Sequence, residues 1–292
     1  MPVDPLPVIV GCPRSGTSLL AVMLDSHPRL AIPPETSFIR HLGKLAGSGD
    51  ALRLNFFRLV TFDKLGVSAW SDCGLDTSTF WQRLLAVRPF TLTGGLRAFY
   101  TLYAEQSGKA RCGDKTPAYV RLMPEIESLL PEAHFIHLIR DPRPTVLSWR
   151  NTWFAPSKDV ATLAVKWAEH VAAGRAAARV LHHYLEVRYE DLVLAPEATL
   201  RAVCDFIGLD YAPAMLDYEA RGQARLDSLQ PRTSVDGSRV IAREERTSIH
   251  ANLVRPPQTA RVRQWETEMA ADERRAVEEA AGPLMRELGY DR

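Results

Sequence analysis

Residues 7–24 read Pro7-Val8-Ile9-Val10-Gly11-Cys12-Pro13-Arg14-Ser15-Gly16-Thr17-Ser18-Leu19-Leu20-Ala21-Val22-Met23-Leu24. The run Val8 to Val10 is apolar and β-branched, the pattern of a buried strand. Gly11, Pro13 and Gly16 then mark a turn. From Ser15–Thr17 onward Leu19, Leu20, Met23 and Leu24 recur at helical spacing, so a helix opens there. A strand, a glycine-containing turn and a helix N-terminus form an anion cradle, because backbone N–H groups and the helix dipole converge on the turn. The spacing Gly11-x-x-x-x-Gly16 fits a loop for nucleoside triphosphates, but Thr17 stands where that loop needs Lys. The cation sits inside the turn instead, at Arg14. Its forked donors suit a terminal anionic group better than a magnesium-bound triphosphate.

The chain has 292 residues, 46% apolar and 24% charged, with a net charge of +1. That is the composition of a soluble globular protein, and it implies neither a general polyanion surface nor a nucleic-acid partner. Only Lys44, Lys64, Lys109, Lys115, Lys158 and Lys166 are lysines among 36 basic residues. A Lys inside a motif is therefore worth notice. Cys12, Cys73, Cys112 and Cys204 form no C-x-x-C pair and no zinc-like cluster with His, so single buried thiols and no metal are expected. No signal-peptide pattern and no run near the ~18 apolar residues of a membrane span is visible. A soluble, cytoplasmic protein is expected.

The rest of the chain alternates strands and helices. Short strands are expected at Leu30–Ile32, around 110–115, at His134–Arg140 and at Tyr184–Tyr189, with helices over 36–66, 70–110, 143–152, 158–181, 198–207 and 258–289. Residues 222–257 lack periodicity and are read as a long loop. The pattern predicts an α/β fold: one domain over residues 1–292, with a central parallel sheet flanked by helices. Ligands of such sheets sit at the carboxyl ends of strands, which gathers the turns at Gly11, Lys115 and Arg140 on one edge.

A second motif is Ile136-His137-Leu138-Ile139-Arg140-Asp141-Pro142-Arg143, followed by Ser148 in the next helix. Arg140 as a fork and Ser148 as a neutral donor could meet one anion, or Arg140 could simply pair with Asp141 or Glu190. Taken together, the two motifs resemble the sulfotransferases that use 3′-phosphoadenosine 5′-phosphosulfate (PAPS). Further blocks match at Met23-Leu24-Asp25-Ser26-His27-Pro28, Pro34-Glu35-Thr36, Gly113-Asp114-Lys115-Thr116-Pro117 and Val187-Arg188-Tyr189-Glu190-Asp191-Leu192. They are similar to those of tyrosylprotein sulfotransferases and their bacterial relatives.

The resemblance implies roles. Arg14, Ser15, Gly16, Thr17 and Ser18 would hold the 5′-phosphosulfate, and Arg140 and Ser148 the 3′-phosphate. Tyr189 would contact the adenine, and Arg255 would close over the nucleotide. Glu35 would be the general base for the acceptor hydroxyl, and Lys115 would assist the leaving phosphate. Read without the family, Glu35 could be a helix-capping acid and Lys115 a solvated surface side chain. The residue two after Glu35 is Ser37, not the Arg of the tyrosylprotein branch. A small-molecule, lipid or glycan hydroxyl is therefore expected over a peptidyl tyrosine, although Arg40, His41, Arg53 and Arg150 could supply part of an anion-binding cluster. A P-loop kinase of small molecules is the other enzyme class the first loop allows.

Overall fold

The protein is described by a computed structural model over residues 4–291. Strand β1 (Leu6–Gly11) leads into α1 (Thr17–Asp25) and β2 (Leu30–Ala31). Helices α2 (Gly49–Thr61), α3 (Trp70–Cys73), α4 (Thr77–Ala86) and α5 (Leu92–Gln106) follow. Next come β3 (Arg111–Cys112), β4 (Asp114–Lys115), α6 (Met123–Leu129), β5 (Ala133–Ile139), α7 (Pro142–Arg150), α8 (Val160–Ala177) and β6 (Tyr184–Arg188). The chain ends with α9 (Tyr189–Leu194), α10 (Pro196–Phe206), α11 (Glu219–Ser228), the β7 (Arg232–Thr233) and β8 (Val240–Ile241) hairpin, α12 (Arg243–Ser248), α13 (Trp265–Glu268) and α14 (Ala271–Glu287).

The central sheet is parallel throughout, in the order β4-β1-β5-β6. All six residues of β1 are buried, because helices cover both faces. Val8 and Val10 join Phe135 in one core, while Ile9 joins Ile136 and Leu138 in the other. A strand buried on two sides needs apolar residues at every position, and this explains the unbroken run. Ile9 stands opposite Lys115 on one side and Ile136 on the other. The carboxyl ends of β4, β1 and β5 are thereby brought to one edge.

Three expectations are corrected in detail. The strand at Leu30 does not join the central sheet. It stops at Ala31 and pairs only with β3. Pro33 and Pro34 lack the N–H a ladder needs, so Glu35 stands beyond the strand, after a bend at Pro34, rather than at its end. Tyr189 is the first residue of α9, not the last of β6. Residues 222–257 hold most of α11, the β7–β8 hairpin and α12 rather than one loop. These elements are short and fastened by polar contacts, such as Arg246 on both oxygens of Asp72 at 2.9 and 2.6 Å, so no apolar period betrays them.

The four cysteines are buried and unpaired, and burial raises their thiols, Cys73 to about 12 and Cys204 to about 11. Among the described residues no helix is long and apolar enough to cross a membrane, and no cluster of His, Cys, Asp and Glu could hold a metal ion.

Candidate active site

The first turn is built around two left-handed residues, Arg14 at φ 70° and Gly16 at φ 97°. Gly16 is required twice over. Its backbone favours glycine, and a Cβ there would lie 2.3 Å from the Tyr189 ring. Ser15 N–H is spent on the carbonyl of Cys12 at 3.2 Å. Among the described residues the amides of Gly16, Thr17 and Ser18 find no hydrogen-bond acceptor, and no side chain caps α1. Ser15 Oγ is buried without a partner. These are unmet donors at a positive helix end, so the cradle suits an anion.

Two guanidiniums close the cradle. Arg14 Nε donates to Ser148 Oγ at 3.0 Å, and its Nη2 donates to the Ile249 carbonyl at 3.0 Å. Burial, reinforced by Arg140 and Arg261, pulls the Arg14 guanidinium down to about 10. Arg140 is 4% exposed and lies over the Tyr189 ring, 4.2 Å from its centroid. It donates to the carbonyls of Arg14 at 3.2 Å and Arg261 at 2.9 Å, while its Nε has no partner. Burial lowers its pKa as well. The simpler pairing with Asp141 or Glu190 does not occur. Asp141 is held by Arg143 at 2.6 Å, and Glu190 accepts from Asp141 N and Tyr290 OH. Arg14, Arg140 and Arg261 form no ion pair among the described residues. Three cations gathered in a low-dielectric site without a carboxylate call for an anionic ligand. They line a cavity of about 90 Å³ that also touches Gly16, Ser148 and Tyr189.

A second cavity, of about 360 Å³, adjoins the first and shares Arg14, Thr17, Ser18 and His250 with it. Glu35 and Lys115 stand in its wall. Lys115 Nζ is 2.5 Å from Glu35 Oε1 and donates to Ser18 Oγ at 3.3 Å. The Lys115 side chain is only 9% exposed, so it is not a solvated surface lysine, and Glu35 pairs with it rather than capping a helix. A half-exposed carboxylate, a buried ammonium and a hydroxyl thus line up from the larger cavity to the start of α1.

A model of the sulfotransferase family matches residues 5–213. This chain belongs to the sulfotransferase family. The nodulation protein NoeE of Sinorhizobium fredii is 29% identical to it over 99% of this chain and 67% of that protein. Protein-tyrosine sulfotransferase 2 of Gallus gallus is 25% identical over 98% of this chain and 70% of its own length. The sulfotransferase domain of the Synechococcus PCC 7002 olefin synthase superposes with a TM-score of 0.59 at 23% identity, covering 95% of this chain and 94% of that one. The sulfotransferase domain from the curacin pathway gives 0.58 at 18% identity, covering 96% and 98%. At those identities the two structures speak for the fold. The chain is a sulfotransferase enzyme, which moves a sulfuryl group to a hydroxyl.

The structure gathers Arg14, Gly16, Thr17, Ser18, Arg140, Ser148 and Tyr189 around the smaller cavity, with Ser15 buried in the turn and Glu35 and Lys115 in the wall of the adjoining cavity. Arg255 is not brought there. It is exposed, and only its backbone is engaged among the described residues, its carbonyl by Tyr218 OH at 2.6 Å and its N–H by the Asn252 carbonyl at 3.3 Å. Arg261, six residues on, lines the cavity instead. His250, which no sequence motif marks, stands between the two cavities. Burial and the charges of Lys115 and Arg14 push its imidazole well below 6.5 and keep it neutral. Neither residue sits in a motif, and only the folding of 249–261 over the first turn brings them in. Of the cations weighed near Glu35, Arg40 alone lines the larger cavity, with Arg225, Arg232 and Arg246 arriving from the C-terminal part. Arg53 is spent on the Leu84 carbonyl at 3.0 Å, Arg150 on Glu273 at 2.5 Å, and His41 on the Gly66 carbonyl at 3.0 Å.

Proposed function

We propose that this sulfotransferase takes its sulfuryl group from PAPS and passes it in line to the hydroxyl of a small molecule, lipid or glycan. The observation that carries the reading is the unpaired Arg14 and Arg140 at an uncapped helix N-terminus, one cavity away from the Glu35–Lys115 pair. The free amides of Gly16, Thr17 and Ser18, with Arg14, are suited to the 5′-phosphosulfate. Arg140 and Ser148 are suited to the 3′-phosphate, and Tyr189, already under Arg140, to the adenine face.

Sulfuryl transfer, like phosphoryl transfer, asks the protein for positioning and for charge at the oxygens. As the acceptor oxygen bonds to sulfur and the sulfur–oxygen bond to the phosphate breaks, Glu35 takes the acceptor proton. Lys115 neutralises the charge left on the phosphate oxygen, and Ser18 Oγ steadies Lys115. None of these roles asks for a metal ion. The larger cavity, of about 360 Å³, falls in the size range of small-molecule sites. The similarity to a protein-tyrosine sulfotransferase keeps peptidyl tyrosine as the second reading. The four buried thiols suit a reducing compartment such as the cytoplasm.

Calorimetric titration with 3′-phosphoadenosine 5′-phosphate (PAP), AMP and ATP, followed by a labelled-PAPS screen of acceptor classes, tests the reading. PAP should bind most tightly and without magnesium. A magnesium-dependent preference for ATP would overturn it in favour of a kinase.

A further inference from the structure

Behind Glu35 and Lys115 lies a buried polar cluster, reaching the larger cavity only at Thr116, that the proposed reaction does not use. Asp114 is fully buried, and its Oδ2 accepts from Thr36 Oγ1 at 2.8 Å and from Tyr100 OH at 2.9 Å. Thr36 Oγ1 is in turn 2.7 Å from Tyr119 OH, which accepts from Ile39 N–H at 3.2 Å. Thr116 Oγ1 accepts from Thr36 N–H at 3.2 Å. Every donor in this set has a direction. Ile39 N–H donates to Tyr119, Tyr119 to Thr36 and Thr36 to the carboxylate, which Tyr100 reaches from the other side. Burial beside Asp114 holds the Tyr100 hydroxyl well above its ordinary value, so it stays a donor.

The cluster matters because of where its members sit in the chain. Thr36 directly follows Glu35, while Asp114 and Thr116 flank Lys115. Thr36 is buried while the neighbouring Glu35 is exposed, and along a strand such as β4 successive side chains point to opposite sides. Burying Thr36 inward therefore aims Glu35 outward, and burying Asp114 and Thr116 aims Lys115 toward Ser18. The Thr36 backbone is also tied directly to Thr116. No main-sheet pairing fixes Glu35, since β2 ends at Ala31, so these side chains are what holds its segment against β4.

We infer that Asp114 is a positioning residue. Through Thr36 and Thr116 it clamps the segments bearing Glu35 and Lys115 to each other and sets the geometry of the pair. The inference rests on the roles proposed for Glu35 and Lys115.

The test uses the full chain with Asp114→Asn, Thr36→Val and Thr36→Ser. Pulse acetylation with acetic anhydride, read by peptide mass spectrometry, reports how far Lys115 is held in place. Lys109, equally buried and paired with Asp25 outside the cluster, is the internal control. Turnover with PAPS and 4-nitrophenol and calorimetric PAP affinity complete the set. Thr36→Val is nearly isosteric, so it keeps the experiment open should Asp114→Asn not fold. Expected for Thr36→Val is a severalfold rise in Lys115 labelling with Lys109 unchanged, and PAP affinity near wild type. Its kcat should fall roughly 10–100-fold with the KM for PAPS unchanged, as misplacement of reacting groups produces. Thr36→Ser should return both readouts toward wild type. Lys115 labelling that stays at the wild-type level, or that rises together with Lys109, would overturn the inference. A wild-type protein that binds no PAP and transfers no sulfuryl group would instead sink the functional reading, and the labelling comparison would still decide the clamp.

Discussion

Arg14 Nε donates to Ser148 Oγ across 3.0 Å, joining the turn after β1 to the last turn of α7, 134 residues further along the chain. The contact links the two motifs, and Arg14, Ser148 and Arg140 line one cavity. Arg14→Ala removes a charge and leaves Ser148 without its donor. PAP affinity should fall by about 1.5–3 kcal/mol, the range for charge-assisted hydrogen bonds. Calorimetry on the variant checks this, and an unchanged dissociation constant would remove Arg14 from the site.

Arg140 should decide which nucleotide is preferred. Its guanidinium is buried over Tyr189, and its Nε is free. If it holds a 3′-phosphate, Arg140→Ala weakens PAP far more than AMP, which lacks that group. Ser148→Ala should do the same to a smaller degree, since a neutral hydroxyl contributes less than a charged fork. The quantity to compare is the ratio of PAP to AMP affinity. A ratio that does not move in Arg140→Ala places the 3′-phosphate elsewhere.

Glu35→Gln keeps the shape of the side chain and removes the base. Loss of general-base catalysis is worth ~10²–10⁴ in rate. Turnover should therefore drop by that much while PAP affinity and melting temperature stay near wild type, since Glu35 is half exposed and carries no core packing. Activity retained above about a tenth of wild type would assign the proton to another group, and His250, neutral and between the two cavities, would be the next to test.

The turn and its helix could be read from the sequence because their chemistry is local. Arg14, Gly16 and the apolar run of β1 lie within one short stretch, and so do Arg140 and Ser148. Burial on both sheet faces imposes a compositional signature on β1 and β5 that survives without any tertiary knowledge. What closes the site was not legible. Arg261 and His250 reach it through a chain of short elements fixed by Arg–carboxylate and carbonyl contacts, whose partners are distant in sequence, as with Arg246 and Asp72. The same holds for Asp114, whose value lies in Thr36 and Tyr100, neither part of its own motif. The boundary at Tyr189 is not marked in the sequence, because a strand and a helix abut there without a turn residue between them.

Stability should fall on acidification through His137. The ring is fully buried in β5, and burial drives its pKa down to about 3. Nδ1 lies 2.6 Å from Tyr184 OH, which itself donates to Glu186, so Nδ1 carries the proton and Nε2 is left without a partner. The unfolded imidazole takes up its proton near 6.5, whereas the folded one resists until about 3. Between those values the unfolded state binds more protons, so stability rises with pH there. It is full above about 6.5 and is lost as pH falls toward 3. His137→Asn retains a donor near Nδ1 and cannot titrate. Urea unfolding at about pH 7 and pH 5 should show a shallower fall for the variant than for wild type. Equal falls would mean that the buried ring does not govern acid stability.

The acceptor should be a small or apolar-bodied hydroxyl compound rather than an acidic peptide. The larger cavity is walled by Leu65, Trp153, Phe154, Ile249 and Leu253 as well as by guanidiniums. Three of those guanidiniums are already answered within the protein: Arg225 by Asp25 at 3.5 Å, Arg246 by Asp72 at 2.6 Å, and Arg232 by Asp63. Arg14, also unpaired, belongs to the proposed phosphosulfate site, and of the cavity's remaining guanidiniums Arg40 alone is exposed and in no ion pair among the described residues. One free cation gives little of the clustered charge that selects acidic chains and speeds their encounter. The comparison to make is kcat/KM for a tyrosine peptide flanked by Asp and Glu against 4-nitrophenol and a simple alcohol, each at low and high salt. The small acceptors should be preferred, with little salt dependence, because apolar burial rather than long-range charge holds them. A clear preference for the acidic peptide that vanishes as salt is raised, and is reduced in Arg40→Ala, would reverse the assignment and make peptidyl tyrosine the substrate.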